Sequence, residues 1–267
     1  MFIIFKRELR ANLKSVLIWT LVMALMAGIG FGEYEMVMGE GSEVSFNAVI
    51  DMMPHIVKVM FGMSAMPVDT AEGWYVCMFL WCAMIAYLHA ALLGAGILSK
   101  EERDKTADYL FTKPVTRAAV IYGKVLAAKL YTVIVVTAGW IVTVAAFGPY
   151  FKDARLAADI NLSMLGMAVT SLLFLFIGLF CSAAAREKGK GTQYSAITVM
   201  AAYVLYVVIE AAGNIDFLRF LSPFSHFDAA RVFLNGMDWI YMVISAIVAA
   251  AAIVGTLRLY GRRDLHN

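Results

Sequence analysis

Six apolar runs separated by short charged or broken segments set the pattern of this chain: 15–31, 74–98, 125–147, 162–185, 192–212 and 239–257. Each falls in the range of about 17 to 25 residues that carries a helix across a bilayer. Hydrocarbon offers no partner to backbone N–H and C=O groups, so such runs must close their own hydrogen bonds as α-helices. The pattern therefore predicts an all-α membrane protein with six transmembrane helices, forming a single transmembrane domain over residues 1–267.

The segments between the runs carry patterns of their own. In residues 1–14, Phe2, Ile3, Phe5, Leu9 and Leu13 share a broad face while Lys6, Arg7, Arg10 and Lys14 crowd the other, which predicts an amphipathic interfacial helix at the inner leaflet. Within the outer loop 32–73, Met53, Ile56, Val57, Met60 and Phe61 recur at helical spacing before Gly62, predicting an amphipathic helix packed at the outer leaflet. The stretch 213–238 is apolar but broken by Asp216, Arg219, Pro223, His226 and Asp228, too short and polar to span, and reads as a pair of short helices.

Charge orients the spans. The N-terminus, the segment between spans two and three up to Lys129, the turn 186–190 and the C-terminal tail hold 17 of the 22 Lys and Arg residues, whereas Lys58, Lys152, Arg155, Arg219 and Arg231 fall on the opposite side. Lys and Arg concentrate on the cytoplasmic side of membrane proteins. A multi-pass protein of the cell (plasma) membrane with both termini cytoplasmic is expected, and residues 32–73 then form an extracellular loop.

Composition agrees with this and excludes other classes. The chain is 62% hydrophobic and 16% charged, with a net charge of +2 and a mean hydropathy of +0.76, against about 25% charged in soluble domains. Nucleic-acid binding has no support, and no cleavable signal is expected from the mixed basic and apolar start. Cys77, Cys82 and Cys181 lie within apolar runs without CxxC spacing and read as small core residues. The Met-rich outer loop, with His55 among its methionines, invites a Cu(I) reading, but the helical spacing accounts for it and no metal is expected. Gly189-Lys190-Gly191-Thr192 lacks the first Gly and the Ser or Thr of a phosphate loop, so it reads as a tight basic turn. No hydrolase or metalloprotease motif occurs, and the chain is not expected to be an enzyme in its own right. Two polar groups lie within spans: His89 is expected to hydrogen-bond another helix, and Glu210 to be a solvated boundary acid.

The most informative segment is the charged insert 99–124 between spans two and three, which includes Glu102 through Arg117, ERDKTADYLFTKPVTR, and then Gly123-Lys124. It resembles the cytoplasmic coupling-helix region of ABC transporter permeases of the type 2 exporter class. Thr106, Asp108, Leu110, Pro114, Val115, Arg117 and Lys124 match the usual pattern and Thr116 replaces a Ser. Lys105 stands where Gly is usual, and Tyr109 and Phe111 where Leu is usual.

The resemblance implies a transmembrane permease subunit of an ATP-driven exporter, pairing as a homodimer or heterodimer with a second permease in the lipid bilayer. Separate ATP-binding subunits would carry ATP and Mg, with no cofactor in this chain. Glu102, Thr106, Asp108, Tyr109, Leu110, Phe111, Pro114 and Arg117 would meet the ATPase, the three consecutive apolar residues as anchors and the charged ones fixing register. It also implies that the short helices between spans five and six are re-entrant. The substrate-binding residues are unknown from sequence. An alternative is a membrane-embedded sensor or assembly factor that recruits a cytoplasmic partner through the same insert.

Overall fold

The computed structural model describes residues 2–38, 46–103, 117–148, 154–185, 187 and 189–262. Its long helices are α1 (Phe2–Met38), α4 (Ala71–Arg103), α5 (Arg117–Phe147), α6 (Ala154–Ala184), α7 (Lys190–Ala212) and α10 (Trp239–Arg262). All six are long and apolar enough to cross a membrane. Short helices α2 (Phe46–Asp51) and α3 (His55–Met60) lie between α1 and α4. A 3₁₀ turn (Asp216–Leu221), α8 (Pro223–His226) and α9 (Ala229–Asn235) lie between α7 and α10. Among the described residues there is no strand.

The helices outrun the apolar runs that predict them, because the backbone ladder continues wherever charged residues past the apolar stretch find water or a partner. The clearest case is α1. Residues 1–14 are not a separate helix: the chain runs unbroken from Phe2 to Met38, with no Pro and no Gly before Gly28 to interrupt it.

At the centre, α4 crosses α6, and these two are the most buried of the six. Glycine sets how close they come. A Cβ on Gly94 would fall 2.3 Å from the Leu175 carbonyl oxygen, and one on Gly178 would fall 2.2 Å from that of Ala91. Small residues allow backbones to approach in this way. α7 is tied to the same crossing by Ser195 Oγ, which donates to the Ala91 oxygen at 2.9 Å. α1 and α5 pack together on one flank and α10 lies against α6. The alanines of α10 from Ala246 to Ala251 are exposed or half-exposed and only Ala252 among them is buried.

Aromatic side chains fill the half of the bundle away from the insert. Tyr75 stacks on Phe233 of α9 at 5.3 Å and lies beside Phe31 and Phe147, its hydroxyl 2.5 Å from Ser163 Oγ. Twelve residues further along α4, Tyr87 meets Phe224 of α8 edge-on at 4.9 Å. The chain from α8 to α9 thus follows α4 over roughly 18 Å of its length, at 1.5 Å per residue.

The outer loop departs from its predicted phase. Pro54, which lacks an N–H, precedes α3 and leaves Met53 outside the helix. The buried residue is Val59, whereas Ile56, Met60 and Phe61 are exposed. Gly62 ends the segment with φ 73°, a conformation open to glycine.

Candidate functional site

The helices that flank the insert converge with the start of α1 at one end of the bundle. Glu102 lies in the last turn of α4 and Arg117 opens α5. Thr106, Asp108, Tyr109, Leu110, Phe111 and Pro114 lie outside the described residues. The structure shows how the two flanks are held. Lys124, the Lys of the Gly-Lys pair, is fully buried on α5, and its Nζ donates to the Ile97 carbonyl oxygen of α4 at 2.5 Å. A cation without solvent exposure needs such partners.

The start of α1 is joined to both flanks. The Tyr131 hydroxyl of α5 donates to the Leu9 carbonyl oxygen, and Ile4 packs with Val120. Glu8 is fully buried. Its carboxylate accepts from Arg7 at 3.1 Å and from Asn12 Nδ2 at 3.3 Å, and it lies 4.0 Å from Lys100 Nζ of α4. Sequence reading passed over Glu8, although a single acid among four basic residues was a visible signal. Phe5 of α1 and Tyr260 of α10 share an apolar cluster with Ile97, Leu98 and Ile121, so the start of α1 and the end of α10 lie at the same end of the bundle as the flanks of the insert.

The described residues of the turn 186–190 form the tight connection that the sequence predicts. Gly189 sits at φ 85° before α7, Lys190 pairs with Glu187 at 2.6 Å, and a Cβ on Gly191 would fall 2.6 Å from Ser182 Cα. It is a packed connection between two spans.

The chain matches the model of the ABC-2 family transporter protein over residues 2–265. The chain belongs to the ABC-2 transporter family. No curated protein matched it. This ABC-2 chain is a transmembrane permease subunit of an ABC transporter. The family in general works with an ATP-binding subunit.

Two intramembrane polar groups of the permease differ from expectation. His89 is buried at 2% exposure, yet neither ring nitrogen has a hydrogen-bond partner. It packs against Trp19 of α1 at 5.4 Å between ring centroids. The expected helix-to-helix hydrogen bond is not made, because the face of α1 opposite His89 presents an indole ring at this level.

Glu210 is not a merely solvated acid. Arg219 approaches it at 3.3 Å and Arg231 at 3.7 Å, and Arg219 also pairs with Asp216 at 3.0 Å. The fold of 213–238 brings both arginines back over the end of α7, which spacing along the chain does not reveal. Beside this cluster, Asp228 accepts from the Tyr206 hydroxyl at 3.3 Å. Burial, reinforced by the Glu210 carboxylate, pushes Asp228 up to about 7.

His226 lies between Ser245 Oγ and the Phe220 carbonyl oxygen, each at 3.0 Å. A carbonyl can only accept, so Nε2 carries the proton and Nδ1 accepts from the serine. Burial lowers the pKa of this imidazole. Among the described residues no group of three or more His, Cys, Asp and Glu could hold a metal ion.

Proposed function

We propose that this ABC-2 permease is half of a dimeric exporter in the cell membrane, driven through its insert by separate ATP-binding subunits docked on the cytoplasmic side. The observation that carries this reading is the way the insert's flanks are bound. Lys124 to Ile97 joins α5 to α4, and Tyr131 to Leu9 and Glu8 to Lys100 join both to α1. A displacement applied to the insert would move three spans together rather than bend a loose loop.

In this reading Tyr109, Leu110 and Phe111 seat in a groove of the ATPase, with Glu102, Thr106, Asp108, Pro114 and Arg117 around them. Large apolar anchors within a polar rim are how compact interfaces concentrate their binding energy. ATP closes the ATPase pair and the spans rock. The first turns of α1 lie at the inner leaflet, and α8 and α9 form the re-entrant pair on the outer side, which their descent along α4 from Tyr75 to Tyr87 supports. Non-helical backbone at that depth is admissible where protein surrounds it, and Phe224, Phe227 and Phe233 are buried.

The test is co-purification of the ATPase with detergent-solubilised variants. Leu110→Asp with Phe111→Asp places charge in an apolar groove, at a cost of roughly 3–5 kcal/mol for an unpaired buried charge. Partner binding should collapse while the permease stays monodisperse. Retention of normal binding by the double variant would remove the insert as the docking element.

A further inference from the structure

At the end of the bundle away from the insert, α3 and the turn after it lie deep against two spans. The Phe61 carbonyl oxygen accepts from Cys77 Sγ of α4 at 3.1 Å, and the Phe61 ring packs on Trp81 of α4 at 5.5 Å between centroids. Met60 meets α7, where its carbonyl oxygen accepts from the Tyr203 hydroxyl at 2.6 Å.

Charged residues on those spans mark the depth. Glu72 is the last Asp, Glu, Lys or Arg of α4 before Lys100, and Trp81 lies nine residues beyond it, roughly 13 Å along the helix. On α7, Tyr203 lies seven residues short of Glu210, roughly 10 Å. Both spans place the tip well inside the level of their charged groups, in a bilayer whose hydrocarbon core is about 30 Å thick.

The backbone of the tip is closed in the way that depth requires, since hydrocarbon offers a loop no hydrogen-bond partner. The Phe61, Gly62 and Met63 amides donate to the Val57, Val59 and Lys58 carbonyl oxygens. The next two carbonyls, of Met60 and Phe61, take their donors from the spans. Gly62, at φ 73°, seats the turn on α4, where a Cβ would fall 3.3 Å from Cys77 Cα. Lys58 is paired with the exposed Asp51 at 3.0 Å, so α3 carries no lone cation toward the bilayer. Ile56, Met60 and Phe61 remain exposed. On α7, Met200 and Val204, three residues before Tyr203 and one after it, are exposed as well, so the apolar surface of the tip adjoins that of a span.

We infer that the loop between α1 and α4 re-enters the bilayer, with the end of α3 and Phe61–Gly62 at membrane depth and Ile56, Met60 and Phe61 turned to the acyl chains of the leaflet away from the insert. The inference rests on α4 and α7 being spans of the permease. It requires neither an ATPase nor a given orientation, so its failure would leave the coupling assignment standing.

The test uses nitroxide labels on single cysteines of the full chain in phosphatidylcholine nanodiscs, with Cys77→Ser to keep a donor for Phe61 and alanine at Cys82 and Cys181. Labels at Ile56 and Met60 should relax with oxygen rather than with a water-soluble nickel chelate, giving an oxygen-to-nickel ratio close to that at Val204 and several-fold above that at Asp69, which is exposed just before α4. A ratio equal to that at Asp69 would put the tip in water and overturn the inference. Loss of access to both reagents, with dipolar broadening between labels, would show a second copy covering the face and would overturn it too.

A second measurement needs no substitution. Phosphatidylcholine carrying a diazirine in mid-chain, photolysed with the unaltered permease, should leave adducts on residues 56–61. Adducts on α7 with none on 56–61 would overturn the re-entrant reading.

Discussion

Lys124 Nζ donates a hydrogen bond at 2.5 Å to the carbonyl oxygen of Ile97, across the two helices that flank the insert, from a side chain with no solvent exposure. Lys124→Met keeps much of the volume and loses the donor. The expected loss is about 1.5–3 kcal/mol, the range for a hydrogen bond to a charged group. Thermal unfolding in detergent should show a lower Tm, and an unchanged Tm would show that this bond does not hold α4 to α5.

Glu8 and Lys100 separate burial from pairing. The carboxylate is fully buried, while the lysine side chain is 22% exposed and 4.0 Å away. Glu8→Ala removes the buried carboxylate to which Asn12 and Arg7 donate and should cost about 1–3 kcal/mol. The coupling energy between Glu8→Ala and Lys100→Ala in a double-mutant cycle should stay within about 0–1 kcal/mol, as for exposed pairs. A coupling as large as the Glu8 loss would mean that Lys100 is its principal partner.

Gly94 and Gly96 make a matched pair two residues apart on α4. A Cβ at Gly94 meets the Leu175 carbonyl oxygen at 2.3 Å, whereas one at Gly96 meets nothing within 4 Å. Gly94→Ala should destabilise by about 1–3 kcal/mol through overpacking, and Gly96→Ala should be neutral or slightly stabilising because alanine favours the helix. Equal unfolding temperatures for the two variants would contradict the close crossing of α4 and α6.

Asp228 makes stability depend on pH. Its folded value of about 7 lies above the ordinary 3.8, so between those limits the folded chain holds a proton that the unfolded chain has released. Stability from this group is full below about pH 4 and is lost as pH rises through about 7. Asp228→Asn, which can still accept from Tyr206, should remove that slope. Its Tm relative to the parent should improve from pH 5 to pH 8, and parallel pH profiles would show that Asp228 is ionised throughout.

The charge split between the two sides predicts accessibility. In a Cys-free background, an impermeant maleimide on intact cells should label Cys placed at Ser42 and Asn235 but not at Thr112 or Lys188. Labelling at Thr112 would reverse the orientation and put the insert beyond the reach of a cytoplasmic ATPase.

Hydropathy and spacing alone determined the number of spans, the place of the insert, the glycine turn before α7 and the broken segment between the last two spans. These are local properties, since a run of apolar residues must be helical in lipid whatever lies beside it. The residues of the insert, from Thr106 to Lys124, carried the family resemblance, which the match over residues 2–265 bears out. What each polar side chain meets was decided by the tertiary structure. Glu8 and Lys100 are 92 residues apart in the chain and Lys124 and Ile97 are 27 apart, so no window of sequence pairs them. Glu210 reads as a boundary acid until the returning segment places Arg219 and Arg231 over it. His89 reads as a hydrogen-bonding group between helices until Trp19 occupies the facing position. A helix presents its whole circumference in sequence, and only packing decides which face meets a partner, a lipid or a cavity.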